Sequence, residues 1–230
     1  MFQIIEMEIT ALKNNLMGSN CYLIEHLDRV IVVDPGINNV HVIAERLNHR
    51  MQHLDYVILT HEHIDHIQGV KPLCEMFDVE VIATATCFES LKNPKLNLSA
   101  AYPGEDPISY VPRRVVSVES LGAKLQWNDV QIKFYPTPGH CAGAMCFVVG
   151  DFLFSGDTLL ERIKTYTTAP DSSIEQLAVS LTMIRNEFGV EMMVYPGHES
   201  CFRFGDVIPF IDSQIRLLRR KILLGGNKKA

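Results

Sequence analysis

The stretch Asp55-Tyr56-Val57-Ile58-Leu59-Thr60-His61-Glu62-His63-Ile64-Asp65-His66 decides the reading of this chain. A short apolar run rich in β-branched residues stops at three imidazoles and a carboxylate packed into six positions. That is the pattern of a buried strand feeding a functional loop. Alternate residues of an extended chain point the same way, so His61 and His63 can present nitrogens to one ion. A tighter turn into a helix starting at Val70 would aim Asp65 and His66 at a second point close by. Imidazole suits zinc, iron and similar borderline ions, and carboxylate oxygen adds neutralising charge.

The same arrangement recurs at three further strand ends. Tyr135-Pro136-Thr137-Pro138-Gly139-His140, Phe154-Ser155-Gly156-Asp157-Thr158 and Tyr195-Pro196-Gly197-His198 each close an apolar run with glycine and then a ligand-capable residue. Each is weak by itself; with the first motif they reinforce one another. Residues 21–26, 29–36, 79–84 and 145–157 give further strand patterns, and helical patterns run over 40–48, 70–77, 174–188 and 207–224. Ser172 and Ser173 ahead of Glu175 and Gln176 predict a capped start for the third helix. This alternation predicts an α/β (α+β) fold with a two-layer sheet core flanked by helices, because apolar strands need cover on both faces. Residues 92–112 carry Pro94, Pro103, Gly104, Pro107 and Pro112, which predicts an irregular segment, either a lid or binding loop or a plain surface insertion.

The size of the chain, 230 residues, makes one domain over 1–230 the simplest expectation. No run approaches the ~20 apolar residues of a membrane-spanning helix. The opening residues 1–10 read as a strand and not as a leader peptide, so a cytoplasmic location without a membrane partner is expected. Six scattered cysteines without a C-x-x-C pair are expected to be reduced thiols, Cys141 beside His140 being a packed one. A net charge of -6 argues against a nucleic-acid partner, and Arg216, Arg219, Arg220 and Lys221 are expected to form a solvated helix face. His26, His41, His49 and His53 are expected to be exposed in helices or turns.

The order of motifs, His61-x-His63-x-Asp65-His66, then His140 after Pro-Thr-Pro-Gly, Asp157 in Ser-Gly-Asp-Thr and His198 after Pro-Gly, resembles the metallo-β-lactamase superfamily in its hydroxyacylglutathione hydrolase (glyoxalase II) branch. Asn20-Cys21-Tyr22 and Asp34-Pro35-Gly36 resemble that family's first strand and its first turn. The resemblance implies an αββα sandwich, two mixed sheets flanked by helices, with two divalent metals at one edge. Zinc is the expected ion, with iron or manganese as alternatives. Carried over residue by residue, His61, His63 and His140 would hold the first metal, Asp65, His66 and His198 the second, and Asp157 would bridge them. Asp34 would orient a ligand from behind, the alternative being a plain tight turn.

Two such ions lower the pKa of a bound water towards ~7 and polarise a carbonyl oxygen. Asp65 can orient that nucleophile or take its proton. A thiol with a pKa of ~8.5 leaves without an obligatory acid, so hydrolysis of an acyl thioester, on a small molecule or on a carrier, fits best. Lys164 and Tyr166, after the Asp157 strand, and Tyr102 and Tyr110, in the 92–112 segment, are candidate substrate contacts. Only about thirty residues follow His198, against the larger basic and aromatic helical region with which glyoxalase II relatives grip glutathione. The competing expectations are a lactonase or other ester or amide hydrolase on the same metals, a mononuclear iron persulfide dioxygenase, a phosphodiesterase or nuclease, and a metal-holding module without catalysis.

Overall fold

Along β3 (Arg29–Val33), Val30 and Val32 pack into one cluster while Ile31 and Val33 pack into another, and all four are buried. A strand apolar on both sides needs cover on both. In the computed structural model, which describes residues 7–226, a second sheet covers one face and helices cover the other.

The first sheet runs β1 (Glu8–Lys13), β2 (Asn20–His26), β3, β4 (His53–Ile58), β5 (Glu80–Thr84), β6 (Val115–Val118), in that order. Its first three strands pair antiparallel and β3 to β6 pair parallel. The second sheet has the order β12 (Phe202–Arg203), β11 (Met193–Pro196), β10 (Phe152–Gly156), β9 (Met145–Val149), β8 (Val130–Pro136), β7 (Ala123–Trp127). Here only β10 and β11 are parallel. Outside the first sheet lie α1 (Asn39–Arg50), the single turn α2 (Ile64–Ile67), α3 (Val70–Phe77) and α4 (Ala85–Leu91); α5 (Ile174–Glu187) and α6 (Phe204–Gly226) cover the second. The result is the expected αββα sandwich of two mixed sheets between helices.

Between the sheets, Tyr22, Ile24, Ile31, Ile58 and Ile82 meet Phe134, Met145, Phe147, Val149 and Phe154. Phe147 and Phe154 stack with ring centroids 4.6 Å apart, and Phe154 also stacks on Tyr195 at 5.1 Å. The helical patterns fall close to the observed helices, and Ser173 caps α5 by accepting from the Gln176 amide at 3.2 Å. Residues 92–112 form one 3₁₀ turn, Ser99–Ala101, in an otherwise irregular segment. Asn97 ties it by donating to the Ile108 carbonyl at 2.9 Å, and Gln68 donates to Glu105 at 2.7 Å.

Three expectations need correction or restriction. His26 is neither exposed nor in a turn: it ends β2, is buried, and its Nε2 lies 2.5 Å from Asp129. His53 is exposed but opens β4, because its neighbours Leu54 and Tyr56 have to pair with β3. Of the strand expected at the start, residues 8–13 form β1 and residues 1–6 lie outside the described residues. No helix among the described residues is long and apolar enough to cross a membrane. Because Phe154 fills the layer between the sheets, Phe154→Ala is expected to lower the unfolding free energy by about 3–5 kcal/mol, read from the denaturant midpoint.

Candidate metal centre

Strands β3, β4, β8, β10 and β11 end at the same edge of the sandwich. Asp34 follows β3, His61 to His66 follow β4, His140 follows β8, Asp157 follows β10 and His198 follows β11. Backbone hydrogen bonds lock this edge across the sheets: Met145 N–H to Thr60 O at 2.8 Å, and Asn20 N–H to Gly197 O at 2.7 Å. Tyr22 also donates to the Pro196 carbonyl at 2.6 Å, so Asn20 and Tyr22 of β2 fix the turn that carries His198. The turn has no room for a side chain, since a Cβ on Gly197 would collide with Asp157 Oδ1.

The seven residues predicted as ligands converge. His61, His63 and His140 bring one donor atom each within 4.8 Å of one another, and so do Asp65, His66 and His198. Asp157 lies between the two groups: its Oδ2 is 3.6 Å from His140 Nε2 and 3.4 Å from His198 Nε2, and its Oδ1 is 3.7 Å from His66 Nε2. His140 Nε2 and His63 Nδ1 are 2.9 Å apart.

Behind the rings, partners fix which nitrogen faces inward. Thr60 donates its hydroxyl proton to Asp34 Oδ2 at 2.6 Å, so at 3.0 Å it can only accept from His61 Nδ1. His66 Nδ1 donates to Asp34 Oδ2 at 3.1 Å, and His140 Nδ1 donates to the Tyr166 carbonyl at 3.0 Å. With Nδ1 of each ring engaged from behind, Nε2 is the nitrogen each turns towards the other donors. The Nε2 atoms of His61, His63 and His66 and Oδ1 of Asp157 are buried with no hydrogen-bond partner. Buried polar atoms are normally satisfied. Orphaned nitrogens of His61 and His66 and an orphaned oxygen of Asp157, with His63 Nδ1 set 2.9 Å from His140 Nε2, make a nitrogen and oxygen donor set that fits one or two divalent cations.

Electrostatics divide the pocket. Burial, reinforced by His66, His63 and His140, holds His61 well below the usual imidazole range, and burial with His140 pushes His63 down to about 3. In the other group, burial pulls the rings down but the carboxylates win. Asp65, Asp34 and Asp157 hold His66 well above its ordinary value, and Asp157 and Asp65 push His198 up to about 9. Burial likewise works upwards on Asp65 and Asp157, yet the facing histidines hold both carboxyls well below the usual range. Protons on His66 and His198 thus stand where a cation can neutralise the same carboxylates.

Tyr102 and Tyr166 line one groove with Leu98, Ala101, Ala169 and Pro170, and the Tyr166 carbonyl that holds His140 joins this groove to the histidines. Tyr102 reaches across to Met17, its hydroxyl 2.7 Å from the sulfur. Tyr110 lies elsewhere, beside Cys74, Glu75 and Asp78 around the end of α3, and Lys164 points to solvent outside the groove. Several supporting residues carry no local sequence signal. Asn14 donates to the Asp65 carbonyl at 2.9 Å and Ser19 donates to it at 2.7 Å. Glu62, between two of the histidines, is fully buried and faces away from them, towards Gly143.

The sequence matches the Metallo-beta-lactamase superfamily over residues 14–198. A probable metallo-hydrolase of Streptococcus pyogenes is 30% identical over 200 residues, covering 84% of each chain. A probable polyketide biosynthesis zinc-dependent hydrolase, PksB of Bacillus subtilis, is 30% identical over 182 residues, 77% of this chain and 72% of that one. The crystal structure of BLEG-1 B3 metallo-beta-lactamase superposes with a TM-score of 0.78 at 23% identity, over 89% of this chain and 99% of the other, a likeness of fold.

Unequal protonation predicts unequal metal uptake. A cation entering beside Asp65 must displace the protons that His66 and His198 hold, so its affinity is expected to rise about tenfold or more per pH unit up to about pH 9. Uptake beside His61 and His63, whose rings are already neutral, is expected to stay flat from pH 6 to 9. Chelator-competition titrations at three pH values measure both, and identical slopes at the two positions would contradict the assignment.

Proposed function

The chain belongs to the metallo-beta-lactamase superfamily, and on that premise we propose that it is a metal-dependent hydrolase whose substrate is an acyl thioester, in the glyoxalase II-like branch. The observation that carries the reading is the place of Asp157, one carboxylate within 3.7 Å of imidazoles from both donor groups. His61, His63 and His140 would hold one divalent ion and Asp65, His66 and His198 a second, with Asp157 shared and zinc the first choice over iron or manganese. Bound there, such ions would supply Lewis acidity and an activated water.

The residues of the chain do the rest. Asp34 and Thr60 hold His61 and His66 with Nε2 inward. Asp65, held as a carboxylate by its histidine neighbours, accepts a hydrogen bond from the attacking water and orients it; so depressed a carboxyl is a poor proton acceptor. The groove between Tyr102 and Tyr166 presents mainly apolar surface beside the histidines, which supports an apolar acyl group or thiol arm. A thiolate leaves unprotonated at neutral pH, so the reaction asks for no further acid from these residues. Similarity to a probable metallo-hydrolase and to a probable zinc-dependent hydrolase supports the same class of reaction.

A panel of glutathione, coenzyme A and carrier-protein thioesters, run on protein of counted metal content, tests the substrate. Turnover of at least one thioester well above any lactone or phosphodiester is expected; the reverse order, or oxygen consumption with a persulfide, would discard thioester hydrolysis. Asp65→Asn is expected to lower kcat about 100-fold or more with the fold intact by circular dichroism.

A further inference from the structure

Glu62 stands between two candidate ligands, yet its side chain leaves the pocket on the opposite side. It is fully buried, and among the described residues no Lys, Arg or His pairs with it. Burying a carboxylate without a counter-charge is costly, so its surroundings should show what holds it there. Oε1 accepts from the Gly143 amide at 3.1 Å, and the buried Cys141 thiol, next to His140, donates to the same carboxyl. A side chain at Gly143 would strike Oε2 and come within 2.6 Å of the Cys87 nitrogen at the start of α4. The Gly143 carbonyl accepts from Thr84 at 2.8 Å, so its peptide groups are gripped at both ends. The preceding amide, Ala142, donates to Asp171 Oδ2 at 3.1 Å.

Two carboxylates from different loops therefore take consecutive amides of the segment that follows His140. Asp171 precedes α5, whose cap Ser173 donates its amide to the Gly139 carbonyl at 2.9 Å, and Ser180 donates to Pro138 at 2.7 Å. The loop bearing His140 is thus held from α5 on one side and, through Glu62, from the loop bearing His61 and His63 on the other. Sequence neighbours of Glu62 are two rings of the first donor group; its hydrogen-bond partner sits three residues from the third.

We infer that Glu62 is a positioning residue for the His61, His63 and His140 group: it sets the distance between the two loops through the Gly143 amide, with Asp171 as its counterpart on Ala142. The inference rests on the metal-centre reading above and is independent of the thioester. What Glu62 must supply is a hydrogen-bond acceptor of the right length, so Glu62→Gln keeps the function and Glu62→Ala removes it.

Stepwise titration with Zn²⁺ or Co²⁺, followed by chelator competition and by the visible spectrum of the Co²⁺ form, reads each position separately. Glu62→Ala is expected to weaken uptake at the His61, His63 and His140 position about 10- to 100-fold and alter its Co²⁺ bands, leaving the Asp65, His66 and His198 position within about threefold. Glu62→Gln is expected to match the unmodified chain at both. Asp171→Ala, which leaves the 60–66 loop intact, is expected to weaken the same position by a smaller factor and keeps the test open if Glu62→Ala does not fold. Unchanged affinity in Glu62→Ala or Asp171→Ala, equal losses at both positions, or failure of Glu62→Gln to restore binding would each overturn the inference. An unmodified chain that took up no ion would overturn the metal centre itself.

Discussion

One buried carboxylate sets the orientation of the whole pocket. Asp34 accepts from the Thr60 amide at 2.8 Å, from the Thr60 hydroxyl at 2.6 Å and from His66 Nδ1 at 3.1 Å. Because Thr60 has spent its proton on Asp34, the ring of His61 must donate through Nδ1 and offer Nε2. One anion thereby fixes a ring in each donor group, although neither contact crosses the pocket. The backbone of Asp34 sits at φ 50°, a conformation that few residues other than glycine adopt. An aspartate kept in that region, followed by a proline, indicates that its three hydrogen bonds hold the strained turn in place.

The sandwich serves this arrangement by bringing strand ends together. Parallel strands finish at a common edge, and side chains just beyond that edge are free of the ladder and can face each other. In the first sheet β3 and β4 end there; in the second, β8 and β10 share a direction across the antiparallel β9, and β11 runs parallel to β10. The two edges would still drift apart without cross-links. Asn20 and Tyr22 in β2, Thr60 after β4 and Met145 in β9 provide them through backbone groups of the opposite sheet.

The ligand-capable residues were legible because chemistry and period coincide: rare residue types stand at the ends of apolar runs, and a strand's alternation tells which of them share a side. The sandwich was legible for the same reason, since runs such as Val30 to Val33 are apolar on both faces. Strands β6 and β7 were not, being short, largely half-exposed edges of their sheets. Helix α4 starts directly after β5, with Thr84 ending the strand and capping the helix at once, so no polar break announces it. The supporting residues escaped on other grounds. Asn14 reaches Asp65 across 51 positions and Glu62 reaches Gly143 across 81, and neither separation leaves a mark in local spacing. Tyr166 holds His140 through its carbonyl, which any residue there would possess.

The pocket also carries an energetic conflict that bears on how the protein is stabilised. Burial disfavours the charged form of His61 and His63, each of which also has an unsatisfied nitrogen, while the carboxylates around His66 and His198 favour theirs. Each unsatisfied nitrogen forfeits a hydrogen bond of order 1–3 kcal/mol that water would make with the unfolded chain. The surrounding core, from Phe147 and Phe154 to the strand contacts at the edge, offsets this cost. A cation that satisfies the orphaned atoms and replaces the protons removes the conflict in the folded state alone, so binding and folding are coupled. The polar framework around Asp34, Asn14 and Glu62 ties the loops that carry these donors to one another.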